Sequence, residues 1–402
     1  MSTCGTAQAS PPDSDMHPVD GFQDMVQRCY DYATAQKADG RKLVGIMCEY
    51  TPRELIMAAG AMPVCLCGGS AEMIPAAEQT LPNNLCPLIK STFGYGVKQA
   101  NPFLEMADLL VAETTCDGKK KMYELLRETY PMHVLELPQK PDNPAALEYW
   151  ISELEQLKAT LETQFGVTIT DDNLRDGIRL MNRERALRRE LAGLMRQDAP
   201  PLTGRQLLDM KSLISGLPHD LALYEEALNT FKQQPPKHPA AGTTRVLLTG
   251  VPLPHGAERV MDIIENSGGL VVCQENCTGV KPLLDDVDPE AENPLRAIAE
   301  TYFHLPCSVM TPNTRRMDLL KQLTTEYRPE CVVELIWQAC LTYDVESAQV
   351  KRLVEDELGI PYLRIETDYS PSDSARIAVR VQALFETVEA RRGAISSQPP
   401  TS

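Results

Sequence analysis

Hydrophobic and polar positions along this chain follow two patterns that alternate. Short apolar runs such as KLVGIM, MPVCLCGG and ADLLVAETT are bounded by turn residues and predict buried β-strands. Longer stretches such as DGKKKMYELLRETY repeat their apolar residues at helical spacing and predict amphipathic helices. Because strands that alternate with helices are typical of a parallel sheet covered on both faces, we predict an α/β fold.

The α/β pattern occurs twice, over residues 21–144 and 241–392, and a different kind of sequence separates the two copies. Residues 145–240 predict three charged amphipathic helices followed by the proline-rich break QQPPKHPAAG. VGIMCEYTPRE lines up loosely with VLLTGVPLPHG, and LLVAETTC with VVELIWQAC, which indicates an internal duplication. We therefore expect two doubly wound, Rossmann-like (flavodoxin-like) parallel-sheet domains around an α-helical insert. Residues 1–20 predict a disordered leader and residues 393–402 a tail.

One helix start in the first α/β unit carries a specific local signal. Thr51-Pro52-Arg53-Glu54 has the residues of a capping box, with proline at the first helical position. We expect a helix to begin here and to continue through LIMAAGA.

Charge and length exclude several classes of protein. The 402 residues carry a formal net charge of -17 and no basic block, which disfavours nucleic acid and anionic membranes as partners. The N-terminus lacks the pattern of a signal peptide, and no stretch is apolar over the length that a bilayer requires. We expect a cytoplasmic protein. Its twelve cysteines would then stay reduced, which favours metal binding over disulfides.

Six of the cysteines lie where an apolar run gives way to turn residues, three in the first third of the chain and three in the last. They are Cys48, Cys86, Cys116, Cys277, Cys307 and Cys340. Ligands of doubly wound sheets collect at the carboxyl ends of the strands. If the two units face each other, all six thiols could converge in one crevice.

Thiolates at this spacing suit an iron–sulfur cluster better than zinc. Structural zinc sites usually contain closely paired ligands such as C-x2-C, which this chain lacks, and its histidines are scattered singly. Iron–sulfur clusters are bound by thiolates, and three thiols on each side would suit a cubane with one iron left for another ligand. Helices are predicted directly after Cys48, Cys86 and Cys116, and their N-termini would stabilise thiolates.

Five sequence motifs, TTCDGKKKMYE, NLCPLIKS, ENCTG, WQAC and GIPYLRIETDYSPSD, make the chain similar to a known family. It resembles the 2-hydroxyacyl-CoA dehydratase components over about residues 40–390, and especially their homodimeric branch, the double-cubane cluster proteins. The resemblance implies that the six cysteines named above bind an [8Fe-9S] double-cubane cluster, three to each cubane. In the dehydratase branch, three cysteines bind one [4Fe-4S] cluster per subunit.

The resemblance also implies partners and an activity. We expect a homodimer that receives low-potential electrons from a separate ATP-hydrolysing iron–sulfur activator and reduces a small substrate. No phosphate-loop or dinucleotide motif occurs, so we expect no nucleotide on this chain itself. Three alternatives stay open: a dehydratase subunit with one [4Fe-4S] cluster, a non-catalytic electron-transfer or cluster-carrier protein, and a zinc-stabilised scaffold. The sequence identifies neither the substrate nor a catalytic proton donor.

The resemblance is incomplete at Cys307, because Val309 occupies a position where the family often has a second cysteine. Cys273 is therefore an alternative ligand. We expect the five remaining cysteines to be unligated, four of them in the core and one in the leader: Cys29, Cys65, Cys67, Cys331 and Cys4. Lys119, Lys120 and Lys121 form either a solvated first turn of a helix or a positive charge that offsets the cluster.

Overall fold

A computed structural model describes residues 20–233 and 242–396, which form two parallel sheets with flanking helices. The predicted α/β fold is confirmed. Residues 1–19 of the predicted leader, with Cys4, lie outside the described residues, as do residues 234–241 of the proline-rich break and 397–402 of the tail. Among the described helices, none is long and apolar enough to span a bilayer.

The first lobe (residues 20–143) contains a four-stranded parallel sheet in the order β2-β1-β3-β4. Its strands are β1 (Leu43–Ile46), β2 (Met62–Cys65), β3 (Leu109–Glu113) and β4 (Met132–Leu135). Every residue of β1 and β3 is buried, as expected for parallel strands covered on both faces. Its helices are α1 (Met25–Ala38), α2 (Arg53–Ala58), α3 (Ile74–Ala77), α4 (Pro87–Lys98), α5 (Pro102–Met106) and α6 (Asp117–Leu126).

The second lobe (residues 242–396) repeats this architecture with the strand order β6-β5-β7-β8. Its strands are β5 (Thr244–Gly250), β6 (Gly269–Glu275), β7 (Cys331–Trp337) and β8 (Tyr362–Thr367). Its helices are α11 (Arg259–Asn266), α12 (Pro294–Phe303), α13 (Thr314–Tyr327), α14 (Leu341–Arg352) and α15 (Ser374–Ser396). All eight predicted strands are present. The matching strand orders agree with the internal duplication, and α15 extends into the predicted tail.

The helical insert (residues 144–233) contains four helices rather than the three predicted. They are α7 (Pro144–Phe165), α8 (Asp171–Gly193), α9 (Gly204–Asp209) and α10 (Pro218–Gln233). The predicted third helix is interrupted because Gly216 adopts φ +71° and Pro218 starts a new helix. The residues between α9 and α10 pair with the first sheet through a bridge between Ile214 and Val64.

The capping box predicted at Thr51 is wrong, although α2 begins close to the predicted position. Pro52 is the N-cap residue and makes no capping hydrogen bond with its side chain. The Thr51 hydroxyl instead donates to the buried carboxyl group of Glu113. Glu54 pairs with Arg185 of α8 rather than with the backbone of its own helix. Tertiary partners have therefore replaced the local capping interaction.

A buried polar cluster joins the insert to both lobes. The Arg185 guanidinium of α8 pairs with Glu54 of α2, and the Tyr302 hydroxyl of α12 donates to Glu54 at 2.7 Å. These three side chains are at least nine-tenths buried. The insert is thus packed against both lobes and fixes how they face each other.

The lobes also approach each other directly at Gly69, which follows β2. A Cβ atom at Gly69 would lie 2.2 Å from the His255 carbonyl oxygen of the second lobe, so only glycine fits here. The Tyr369 hydroxyl donates to the neighbouring Gly68 carbonyl at 3.0 Å. The Gly-Gly pair is therefore a contact between lobes.

Candidate functional site

All six cysteines predicted as ligands lie at the ends of strands or helices. Cys86, Cys116 and Cys340 are the N-cap residues of α4, α6 and α14. The other three are in loops: Cys48 after β1, Cys277 after β6 and Cys307 after α12. The carboxyl ends of both sheets therefore supply thiols to the space between the lobes.

Three of these thiols, Cys48, Cys277 and Cys307, form what we call the inner triplet. Burial raises the pKa of Cys48 well above its usual value, and Cys277 and Cys307 raise it further. Burial lifts the pKa of Cys277 to about 12, with a contribution from Cys307. All three thiols add to the effect of burial in raising the pKa of Tyr50. The three thiols thus interact electrostatically with one another and with Tyr50.

The other three, Cys86, Cys116 and Cys340, form the outer triplet. A hydrogen bond between Cys86 and Cys340 lowers the pKa of Cys86 and raises that of Cys340. The backbone N–H groups of Leu88 and Ile89 lower the pKa of Cys86 further, as expected at a helix N-terminus. Cys116 in turn raises the pKa of Cys340.

The spatial grouping of the six thiols differs from their grouping along the chain. Each triplet contains thiols of both lobes: the first lobe gives one thiol to the inner triplet and two to the outer one. The electrostatic grouping thus differs from the predicted grouping by thirds of the sequence. The reason is that equivalent loops of the two lobes face each other, so that Cys116 after β3 meets Cys340 after the equivalent strand β7.

The expected helix directly after Cys48 is also wrong, because α2 begins only at Arg53. The nearest positive charge to act on Cys48 is the Lys119 ammonium, which lowers its pKa against the effect of burial. Helix N-termini thus lie at the outer triplet only, whereas side-chain cations act on thiols of both triplets. Lys281 and Lys211 act on Cys277 in the same way.

The sequence left open whether Lys119, Lys120 and Lys121 are solvated or place a positive charge near the cysteines, and the structure distinguishes Lys119 from the other two. Its ammonium donates to the Met47 carbonyl oxygen at 2.9 Å and lowers the pKa of Cys48, Cys86 and Cys116, which belong to both triplets. The other two lysines of this run point outward and pair with acids of their own helix, Lys120 with Asp117 and Lys121 with Glu124. Lys119 is thus the inward-facing cation, and the other two are solvated.

A cavity of about 120 Å³ lies between the lobes beside the inner triplet. Its wall includes Cys48 and Cys277, with apolar side chains from the first lobe, the insert and the second lobe. Cys65 and Cys67 also line it. Both are half-buried: Cys65 packs against a hydrophobic core cluster, in line with the prediction, and the Cys67 thiol donates to the Met47 carbonyl at 3.4 Å. Burial raises the pKa of Cys67 to about 11.

Sequence analysis missed four charged residues of the cavity wall: Lys211, Glu49, Asp209 and Glu258. The Lys211 ammonium, between α9 and α10, lies 3.0 Å from the Glu49 carboxylate and 3.0 Å from the Cys277 carbonyl oxygen. Arg53 and Lys211 lower the pKa of Glu49 to about 2 despite its burial. Lys211 thus ties the loop that carries Cys48 to the loop that carries Cys277. Only the break in the helical pattern near Gly216 could have indicated that this segment turns inward.

Three further cysteines in the described part of the chain, outside the two triplets and the cavity, are buried. Cys273 packs in an apolar cluster with Leu319 and Tyr327, and burial raises its pKa well above the usual value. Cys29 and Cys331 lie in the core as predicted. These surroundings favour Cys277 over Cys273 as a ligand.

The donor set fits a multi-iron cluster, which takes one thiolate on each iron atom that the protein ligates. Among residues 20–233 and 242–396, no three His, Cys, Asp or Glu side chains are arranged to hold a single metal ion. The ligands of a cluster stand farther apart than those of one ion, because they bind different metal atoms.

Comparison with known proteins identifies relatives over nearly the whole chain. The family model of the 2-hydroxyglutaryl-CoA dehydratase D-component matches residues 48–388. The putative dehydratase subunit YjiM of Escherichia coli K12 is 41% identical over 360 residues, which cover 87% of this chain and 92% of that protein. The (R)-phenyllactyl-CoA dehydratase beta subunit of Clostridium sporogenes is 24% identical over 91% of this chain and 97% of its own length. A benzoyl-CoA reductase subunit of Thauera aromatica is 23% identical over 90% and 96%.

Proposed function

The chain belongs to the 2-hydroxyglutaryl-CoA dehydratase D-component family, and from that premise we propose that it is an iron–sulfur reductase component. Its six triplet cysteines would hold an [8Fe-9S] double-cubane cluster. A separate ATP-hydrolysing activator would supply low-potential electrons in the cytoplasm, and a small substrate would be reduced in the cavity between the lobes. We infer further that the working unit is a homodimer.

The observation that supports this proposal is the mutual electrostatic effect of the thiols within each of two triplets, one of which contributes Cys48 and Cys277 to the cavity wall. A dehydratase-type subunit with a single cubane needs three thiols, whereas this chain gathers six in two neighbouring sets. Lys119 interacts electrostatically with both sets, which is consistent with one shared anionic centre rather than two distant ones.

The residues of the chain have separable tasks in this proposal. A bound double-cubane cluster would supply electrons at low potential. The helix N-termini beneath Cys86, Cys116 and Cys340 stabilise negative charge on the outer triplet. At the cavity, Lys119 and Lys211 place ammonium groups on the wall, where they attract the electronegative end of a substrate. The rest of the wall combines apolar side chains with the carboxyl groups of Glu49, Asp209 and Glu258.

The dimensions of the cavity favour a small substrate. Sites that enclose drug-sized ligands measure about 300–1,000 Å³, whereas this cavity is about 120 Å³. A molecule of a few heavy atoms fits such a space, and a coenzyme A ester would leave most of its length outside.

Anaerobic purification followed by iron and acid-labile sulfide analysis tests the proposal. We expect about eight iron atoms per chain, because each triplet holds one cubane. Cys277→Ala should lower this content through the inner triplet, and Cys340→Ala through the outer triplet. Cys331→Ala, in the core, is the matched control and should retain full iron content. Unchanged iron in both triplet variants would reject the ligand assignment.

The second candidate is a 2-hydroxyacyl-CoA dehydratase subunit with one [4Fe-4S] cluster. It is favoured by the outer triplet alone, whose three thiols are all helix N-caps. This candidate predicts about four iron atoms per chain and no loss of iron in Cys277→Ala. A non-catalytic electron carrier would instead bind the full cluster but show no turnover of any small acceptor with the activator and ATP. Light scattering of the purified protein tests the dimer.

A further inference from the structure

Lys281 is a buried cation in the loop that carries Cys277. It begins a short 3-10 turn, Lys281–Leu283, four residues after Cys277, and its side chain is only 1% exposed. Its ammonium lies 3.0 Å from the Glu275 carboxylate, which offsets the cost of burying the charge. The same ammonium donates to the Tyr343 hydroxyl at 3.1 Å. Against the larger effect of burial, it also lowers the pKa of Cys277.

The first turn of α14 brings Tyr343 to the inner triplet. The helix carries Cys340 of the outer triplet as its N-cap. The hydroxyl of Ser308, which directly follows Cys307 of the inner triplet, donates to the Thr342 hydroxyl at 3.0 Å. Tyr343 is the next residue of this turn and is 5% exposed. A buried tyrosine therefore follows directly on the residue that contacts the Cys307 loop.

The Tyr343 hydroxyl has a hydrogen left to donate. Its oxygen accepts from the Lys281 ammonium, and none of the residues that the structure describes accepts its own hydrogen. Buried hydroxyls usually have such an acceptor. Burial and, after it, the charges of Cys307 and Cys277 raise the pKa of this hydroxyl, so both thiols act on it. The missing acceptor is therefore expected among sulfur atoms bound at the inner triplet.

We propose that Lys281 and Tyr343 raise the reduction potential of the iron–sulfur centre held by the inner triplet. This inference rests on the proposed function and adds two positioning residues, neither of which is part of the cavity wall. An added electron makes the centre more negative, so a nearby ammonium and a hydroxyl that donates to sulfur favour the reduced form. Because Cys48 and Cys277 line the cavity, electrons would collect on the side where the substrate binds.

The test compares Lys281→Met and Tyr343→Phe with two controls in the anaerobically purified, iron-loaded protein. Tyr343→Phe removes one hydroxyl and keeps the buried ring. Tyr362→Phe is the matched control, because its hydroxyl donates to Glu334 at 2.6 Å in the same lobe. Lys281→Arg keeps the positive charge. Midpoint potentials are measured by titration with Ti(III) citrate and electron paramagnetic resonance, where each Ti(III) gives one electron to the centre and becomes Ti(IV). Iron and acid-labile sulfide are measured for every protein.

We expect Lys281→Met to lower the equilibrium constant of one-electron reduction at least about tenfold, which corresponds to about 59 mV. Tyr343→Phe should shift the potential less but in the same negative direction, because the ammonium remains. Lys281→Arg should stay closer to the parent than Lys281→Met, and Tyr362→Phe should match the parent.

The conservative change at Tyr343 decides the outcome if Lys281→Met does not fold. Full iron content with an unchanged potential in Tyr343→Phe would overturn the inference, as would an equal shift in Tyr362→Phe. Loss of iron in Tyr343→Phe would also overturn it, because the residue would then be a structural support of the site. A parent that lacks the expected iron and sulfide rejects the proposed function instead.

Discussion

Each lobe buries a glutamate beneath the thiols and gives it a threonine hydroxyl as hydrogen-bond donor, yet the two carboxyl groups differ in charge. Burial raises the pKa of Glu113, the partner of Thr51, from 4.5 to about 8. The pKa of Glu275, the partner of Thr249, is lowered although the group is just as deeply buried. At neutral pH one is largely a neutral acid and the other a carboxylate.

Neighbouring cations explain the difference. Glu275 has the Lys281 ammonium at 3.0 Å and the Arg316 guanidinium at 3.3 Å, and these outweigh the cost of burial. The second carboxyl oxygen of Glu113 has no hydrogen-bond partner among the described residues. Burial alone therefore does not set the charge of a carboxyl group. At Glu275 the two buried cations together outweigh the cost of burial.

The largest expected effect on the free energy of unfolding comes from removing Arg316, the buried cation next to Glu275 in the second lobe. Arg316 is fully buried and pairs with Glu275, Glu334 and Glu346. Arg316→Met should lower the free energy of unfolding by about 3–5 kcal/mol, because it leaves buried carboxylates without a counter-charge. Urea denaturation measures this. Arg315→Met, which removes an exposed pair with Asp285, is the control and should cost under about 1 kcal/mol.

The second-largest effect is expected from replacing each of the two glutamates by glutamine, which should change the free energy of unfolding differently in the two lobes. At pH 6, Glu275→Gln should lower the free energy of unfolding by about 2–4 kcal/mol, because Lys281 and Arg316 lose a buried partner. Glu113→Gln should instead raise it by about 2 kcal/mol, because at pH 6 the glutamate is ionised in the unfolded chain and must be protonated on folding, whereas an amide need not be. Thermal or urea unfolding measures both. Equal costs at the two positions would show that the carboxyl groups carry the same charge.

The same comparison predicts a pH dependence. Since the folded protein raises the pKa of Glu113 from 4.5 to about 8, the contribution of this group is fully present below pH 4.5 and is lost as pH rises through 8. Relative to Glu113→Gln, the parent should lose about 2 kcal/mol of unfolding free energy between pH 6 and pH 8. A difference between the two proteins that stays constant across this range would contradict the assignment.

The smallest expected changes in the free energy of unfolding come from replacing the two threonines, Thr51 and Thr249. Thr51→Val removes the hydroxyl that donates to Glu113 and should cost about 1–2 kcal/mol, since a buried acceptor then loses its donor. Thr249→Val should cost less, about 1 kcal/mol, because Glu275 keeps both cations. Urea denaturation at pH 6 measures the order. The reverse order would indicate that Thr249 serves Arg316 more than it serves Glu275.

Local patterns predicted the eight strands and most helices, because periodicity and turn residues act over short distances. They failed where a distant residue offered a better partner. The Thr51 hydroxyl, for example, donates a hydrogen bond to Glu113 instead of capping the helix that follows it. They failed again between α9 and α10, where contact with β2 bends the chain inward at Gly216. In each case a tertiary contact replaced the local preference.

The candidate site shows the same limit. Residue type and position at strand ends singled out the six cysteines, but chain order cannot show which loops of two lobes meet. Alternation along a strand placed Cys65 and Cys67 on one face and could not show that this face borders a cavity. Lys211 belongs to no motif, so its place beside Glu49 and Cys277 emerges only from the fold.

Because each triplet takes sulfur atoms from both halves of the duplicated chain, neither half is a self-sufficient module. Metal bound by either triplet would cross-link the two lobes. By mass action it would stabilise the structure in which the lobes are packed together. Loaded protein should therefore melt in one cooperative transition, whereas stripping the metal should let the halves come apart at different temperatures. If the two halves were expressed as separate fragments, neither fragment could complete a thiol triplet without the other.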